Sequence, residues 1–114
     1  MSINSSFLKN KIYLDSPNKN IVPVTTTIDS AHKLFIGGCS MEDLVKKYDS
    51  PLYVLDEVTL RNSCRAYKKA LEKYYPGPSL PIYASKANSS IFMSNLIASE
   101  GFGLDAVSEG ELLT

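Results

Sequence analysis

The sequence is poor in the side chains from which metal and redox sites are made. Its 114 residues hold one histidine, His32, two cysteines, Cys39 and Cys64, and no tryptophan. Zinc sites draw several His or Cys ligands from close spacings, so no metal centre is expected. Two isolated thiols make no disulfide scaffold and fit a reducing compartment, which makes the cytoplasm the expected location. Charge of one sign is missing too. Twelve Lys and Arg balance twelve Asp and Glu, which argues against a nucleic-acid arm or a membrane-surface patch. No apolar run approaches the roughly 18 residues that span a bilayer. The opening "MSINSSFLKNKIYLDSPNKN" is polar and lacks the apolar core of a secretory signal, so no leader is expected.

What is present is ordinary globular material, 44% hydrophobic and 21% charged, with no internal repeat. The length suits about one small domain. Residues 1–20 read as a loose tail. "IVPVTTTI" (21–28) and "KLFIG" (33–37) are β-rich runs around the turn formers of "DSAH", predicting a hairpin or two short strands. Gly37-Gly38 reads as a turn. Ser40 is placed to cap a short helix, "MEDLVKKY", whose acidic start and basic end suit the helix dipole. "PLYVLD" (51–56) predicts a compact apolar strand.

From Glu57 to about Tyr75 the period changes. Leu60, Cys64, Tyr67, Leu71 and Tyr74 recur every three to four residues, predicting one apolar face of a helix with Asp56 or Thr59 near its start. "PGPSLP" (76–81) ends that helix. "IYASKA" then predicts a strand and "IFMSNLIASE" a helix capped by Ser89 or Ser90. Gly101 stands where a left-handed helix stop belongs. "FGLDAV" predicts a second strand, and Ser108 and Glu111 have capping-box spacing for a further helix. Strand, helix, strand, helix is a βαβ pattern with parallel neighbouring strands and a right-handed crossover. Two parallel strands cannot close a core, so the chain is expected to be a truncated piece of a larger α/β protein. A small, complete α+β domain is the alternative.

The chemistry concentrates at one rim. Lys86 ends the first predicted strand of the βαβ pattern, and Asp105 lies near the end of the second. Parallel neighbours bring these ends together, on the rim where α/β folds build active sites. A partly desolvated lysine there loses its proton readily and can condense with an aldehyde. The plain alternatives are a lysine whose stem packs while its ammonium reaches water, a strand-end polar residue at Asp105 and a simple helix cap at Ser108.

Whole motifs narrow the choice. "YASKAN" followed by "LDAVSEGEL", preceded by "FIGGCSMEDLVKKY" and "SPLYVLDEVTLRNSCRAYKKAL", strongly resembles the diaminopimelate decarboxylase family. That family belongs to the alanine-racemase-like (fold type III) enzymes that use pyridoxal 5'-phosphate. The resemblance runs from about Pro23 to Thr114. It implies the start of a TIM (β/α)8 barrel in residues 57–114, with 21–56 contributing strands and a short helix to a second, β domain. It implies that Lys86 carries pyridoxal phosphate covalently and that Asp105 and Ser108 lie near the cofactor, Asp105 closer. Tyr83, Ala84, Ser85, Ala87 and Asn88 would shape the lysine's setting. Glu109 departs from the family's small residue at that position.

The implied reaction is decarboxylation of meso-diaminopimelate to L-lysine. The implied partners are a small amino-acid substrate and a second copy in a homodimer. A barrel needs about 250 residues, so these 114 alone are not expected to be active. Three rivals stay open. One is another fold type III enzyme, such as a racemase or an ornithine or arginine decarboxylase. The others are a non-catalytic pyridoxal-phosphate carrier and a truncated frame without function.

Overall fold

The computed structural model describes residue 17 and residues 20–113. Apart from residues 17 and 20, the expected loose tail of residues 1–20 lies outside them. The chain divides into two compact units, one up to Thr59 and one from Leu60.

The first unit holds a three-stranded antiparallel sheet, β1 (Thr27–Ile28), β2 (Leu34–Ile36) and β3 (Cys39–Ser40), in that order. The β1–β2 loop folds on Asp29, whose Oδ1 accepts from the amides of Ala31 at 2.9 Å and Lys33 at 2.8 Å. Gly37 and Gly38 turn β2 into β3. Ile36 pairs with Cys39 across them, and both glycines have positive φ, +59° and +79°. A two-residue hairpin turn with positive φ at both positions is costly for any residue with a Cβ. Helix α1 (Met41–Tyr48) follows, capped by Ser40 Oγ, which accepts from Asp43 N at 3.3 Å.

The expected hairpin of 21–28 and 33–37 forms with a shortened first strand, and one strand expectation fails. Of the run 21–28 only Thr27 and Ile28 are strand. Pro23 lacks an amide to give to a ladder, and its carbonyl instead accepts from Thr26 N at 3.0 Å in a turn. "PLYVLD" forms no strand. A strand exists through its ladder, and this run pairs with none of the described strands; Leu52, Tyr53, Val54 and Leu55 are all exposed.

Helix α2 (Glu57–Tyr74) starts on Asp56. This buried carboxylate accepts from Thr59 N at 3.1 Å and from the Thr59 hydroxyl, which in turn accepts from Val24 N at 2.9 Å. The second unit is built from α2, β4 (Ile82–Ala84), a 3-10 turn (Ser85–Ala87), α3 (Ile91–Ser99), β5 (Gly103–Asp105) and α4 (Glu109–Leu113). Its core is Cys64 of α2 with Met93, Leu96 and Ile97 of α3, and Leu60, Tyr83 and Phe102 pack against that cluster. Burying a side chain such as Leu96 or Ile97 is worth about 1.5–3 kcal/mol. Tyr67 and Tyr74 carry the helical period but not the burial, being 68% and 74% exposed.

The ends of α3 are as the sequence indicates. Ser90 caps the start, accepting from Met93 N at 3.4 Å. Gly101 (φ +76°) stops it in a Schellman motif. Phe102 N donates to Ile97 O at 3.2 Å and Gly101 N to Ala98 O at 2.9 Å. Phe102 then enters the core beside Ile97. The helix therefore stops and the chain turns directly into β5.

Candidate active site

β4 and β5 pair in parallel, with Ile82 opposite Gly103, Tyr83 opposite Leu104 and Ala84 opposite Asp105. The register decides what meets at the rim. Ala84 is the last residue of β4 and Asp105 the last of β5, so both strands end level. Tyr83 faces the helices and the core. Side chains alternate along a strand, so Ile82 and Ala84 lie on the opposite face. A Cβ built on Gly103 would stand 3.4 Å from Ile82 Cγ1, which puts Gly103 on that face and, two residues on, Asp105 as well. A shallow concavity beside the paired strands is lined by Ile82, Ala84, Leu104 and Asp105.

Lys86 is not in the strand. The chain leaves β4 at Ala84 and winds into the 3-10 turn, placing Lys86 two residues past the strand end. The turn is tied down on both sides. Ser85 is buried, and its Oγ donates to Asp105 O at 2.7 Å. Tyr83 Oη donates to Asn88 O at 3.4 Å, and Asn88 Oδ1 accepts from Ser90 N at 3.0 Å, joining the turn to the cap of α3.

The structure thus brings the turn carrying Lys86 against the strand end carrying Asp105. Both side chains are exposed, and among the described residues neither the amine nor the carboxylate has a hydrogen bond or ion pair. Lys86 is exposed although Ser85 beside it is buried, so the expected burial of the amine is not supplied by the described residues. Ser108 follows Asp105 by three residues. It caps α4, its Oγ accepting from Glu111 N at 3.3 Å while Glu111 Oε2 accepts from Ser108 N at 3.1 Å and Val107 N at 2.6 Å. That is the reciprocal capping box its spacing indicates. Glu109 opens α4 and is accommodated in its first turn. The bond from Ser85 to Asp105 is not foreseeable from local spacing. Its one signal is a serine inside the apolar run "IYASKA", which needs a partner once buried.

Among the described residues no group of three or more His, Cys, Asp and Glu could hold a metal ion. Residues 57–114 match the family described as pyridoxal-dependent decarboxylase, pyridoxal binding domain. The chain belongs to the pyridoxal-dependent decarboxylase family. Its relatives include a diaminopimelate decarboxylase of Synechocystis sp., 48% identical over 99 residues, which are 87% of this chain and 21% of that protein. A diaminopimelate decarboxylase of Methanothermobacter thermautotrophicus is 38% identical over 86 residues, 75% of this chain and 20% of the other. One of Bacillus subtilis is 43% identical over 82 residues, 71% and 18%. The chain spans about a fifth of the length of these relatives.

The cofactor of a pyridoxal-dependent family is pyridoxal phosphate, an aldehyde, and the groups at this rim fit it. Lys86 offers an accessible, unengaged amine, Asp105 an unengaged carboxylate, and an open concavity adjoins Asp105.

Proposed function

We propose that the chain is part of a diaminopimelate decarboxylase, and that its second unit forms the first part of a (β/α)8 barrel. The reaction would take one carboxylate from meso-2,6-diaminopimelate. The bond from the α-carbon to that carboxylate breaks, carbon dioxide leaves, and a proton is added to the same carbon to give L-lysine. The observation that carries this reading is the level ending of β4 and β5, which sets an amine-bearing turn beside an acidic strand end. The names of the three relatives supply the substrate.

In this reading the Nζ of Lys86 holds the cofactor covalently, and Asp105 and the face bearing Ile82, Ala84 and Gly103 border it. When bound, pyridoxal phosphate supplies an electron sink for the pair left on the α-carbon. The amine of Lys86 would serve as the base and acid that moves a proton at that carbon. Ser108 lies near the cofactor too, less close than Asp105, while its hydroxyl caps the start of α4. We read the enzyme as a cytoplasmic homodimer acting on a small amino acid. The family resemblance supports this, and no helix among the described residues is long and apolar enough to cross a membrane.

The test is borohydride reduction of the full-length protein after addition of pyridoxal phosphate, followed by peptide mass spectrometry. The label is expected on Lys86, and Lys86→Ala is expected to abolish both the label and carbon dioxide release from diaminopimelate. Label on another lysine, or release from ornithine or arginine in preference, overturns the assignment.

A further inference from the structure

We propose that Ser85 is a positioning residue, whose hydroxyl fixes the backbone from which Lys86 presents its amine to the cofactor; this rests on the reading of Lys86 as the cofactor lysine. Three observations converge. Ser85 is 6% exposed, next to an exposed Lys86, so the chain changes from anchored to free within one residue. Its Oγ reaches across a sequence separation of 20 to Asp105 O at 2.7 Å, a short hydroxyl–carbonyl bond. And the turn it begins is a single 3-10 turn with no side-chain cap at Ala84, a motif with weak bonding of its own.

The physical consequence is a restriction of the lysine's root. Consecutive Cα atoms are about 3.8 Å apart, so pinning Ser85 to the end of β5 confines the Cα of Lys86 to a small volume. The side chain of Lys86, which has no partner of its own among the described residues, then searches from a fixed origin. Fixing one reactant's origin raises the effective concentration of its amine at a bound aldehyde. The same bond pins the backbone of Asp105, so the lysine turn and the acidic strand end move as one body. A serine that merely completed strand pairing would lower stability on removal without affecting capture of the cofactor.

The experiment uses the full-length enzyme stripped of cofactor. Pyridoxal phosphate is added and capture at Lys86 is followed by the absorbance of the lysine-bound cofactor, with mass spectrometry after reduction to locate it. Ser85→Ala is expected to slow capture by about fivefold to tenfold, the size of one lost hydrogen bond, while the melting temperature of the cofactor-free protein changes little. Ser85→Thr, which keeps the hydroxyl, is expected to recover most of the rate. Should the alanine variant not fold, Ser85→Cys fills the same space with a weaker donor and is expected to show the same slowing. Wild-type capture at Lys86 with an unchanged rate in Ser85→Ala overturns this inference alone. Absence of label from Lys86 in the wild type overturns the functional reading and this inference with it.

Discussion

Arg65 grips Glu100 with two parallel bonds, Nε to Oε2 at 2.9 Å and Nη2 to Oε1 at 2.8 Å. Arg61 adds a third, Nη1 to Oε1 at 2.8 Å, and Lys68 Nζ donates to the Glu100 carbonyl at 3.1 Å. One face of α2 is thereby clasped to the C-terminal end of α3, where cations also suit the helix dipole. The Glu100 side chain is only 9% exposed, which separates this clasp from an ordinary surface pair. Glu100→Gln leaves two guanidiniums facing one another without the carboxylate. A loss of about 1–3 kcal/mol is expected in urea unfolding. An unchanged midpoint would mean that the clasp contributes nothing to the packing of α2 on α3.

The same carboxylate gives stability a pH dependence of definite sign. Hydrogen bonds from Arg65, then from Arg61, hold Glu100 below the usual carboxylate range. A group whose native pKa lies below its unfolded value binds fewer protons in the folded state. Its contribution is complete above the ordinary value of 4.5 and disappears as pH falls through the native one. The stability difference between wild type and Glu100→Gln should therefore be largest near neutrality and shrink below about pH 4.5. Unfolding curves at pH 7 and at pH 3.5 check it, and a gap that widens in acid contradicts the assignment.

Gly101 is the hinge between α3 and β5, and its φ of +76° is the reason for glycine. Alanine there would put a Cβ 3.2 Å from Lys68 Nζ, the far end of a flexible side chain that can move away. The cost is then mainly the left-handed backbone, about 1 kcal/mol. Gly101→Asn should cost less, since asparagine tolerates that conformation. Thermal unfolding of the two variants ranks them, and alanine at no cost would contradict the Schellman stop.

Much of this architecture was legible because it is written locally. The caps at Ser40 and Ser90, the box of Ser108 and Glu111 and the stop at Gly101 are each decided within a few residues by a side chain meeting its own backbone. The parallel pairing of β4 with β5 followed from the order of elements, and with it the approach of the turn bearing Lys86 to the strand end bearing Asp105. What failed is non-local. "PLYVLD" has strand composition, but pairing is settled by a neighbour that composition cannot name. Tyr67 and Tyr74 obey the helical period yet lie where no described element covers them. The Ser85–Asp105 and Arg65–Glu100 bonds span 20 and 35 residues of sequence. The stripe of Arg61, Arg65 and Lys68 at helical spacing was the available sign that a carboxylate stands opposite.

The two thiols offer a direct test of the second unit's core. Cys39 is exposed at the start of β3, whereas Cys64 is 6% exposed between α2 and α3. Burial, and after it the charge of Glu100, pushes the Cys64 thiol up, so little thiolate forms there. An alkylating reagent at pH 8 should modify Cys39 quickly and leave Cys64 protected by about a hundredfold, with reaction only through opening of the core. Urea should abolish the difference. Glu100→Gln should narrow it, because a weaker clasp opens the α2–α3 contact more often. Mass spectrometry of timed samples reads both sites at once. Equal rates in the native protein would show that Cys64, Met93, Leu96 and Ile97 do not form the packed cluster on which the positions of β4 and β5 depend.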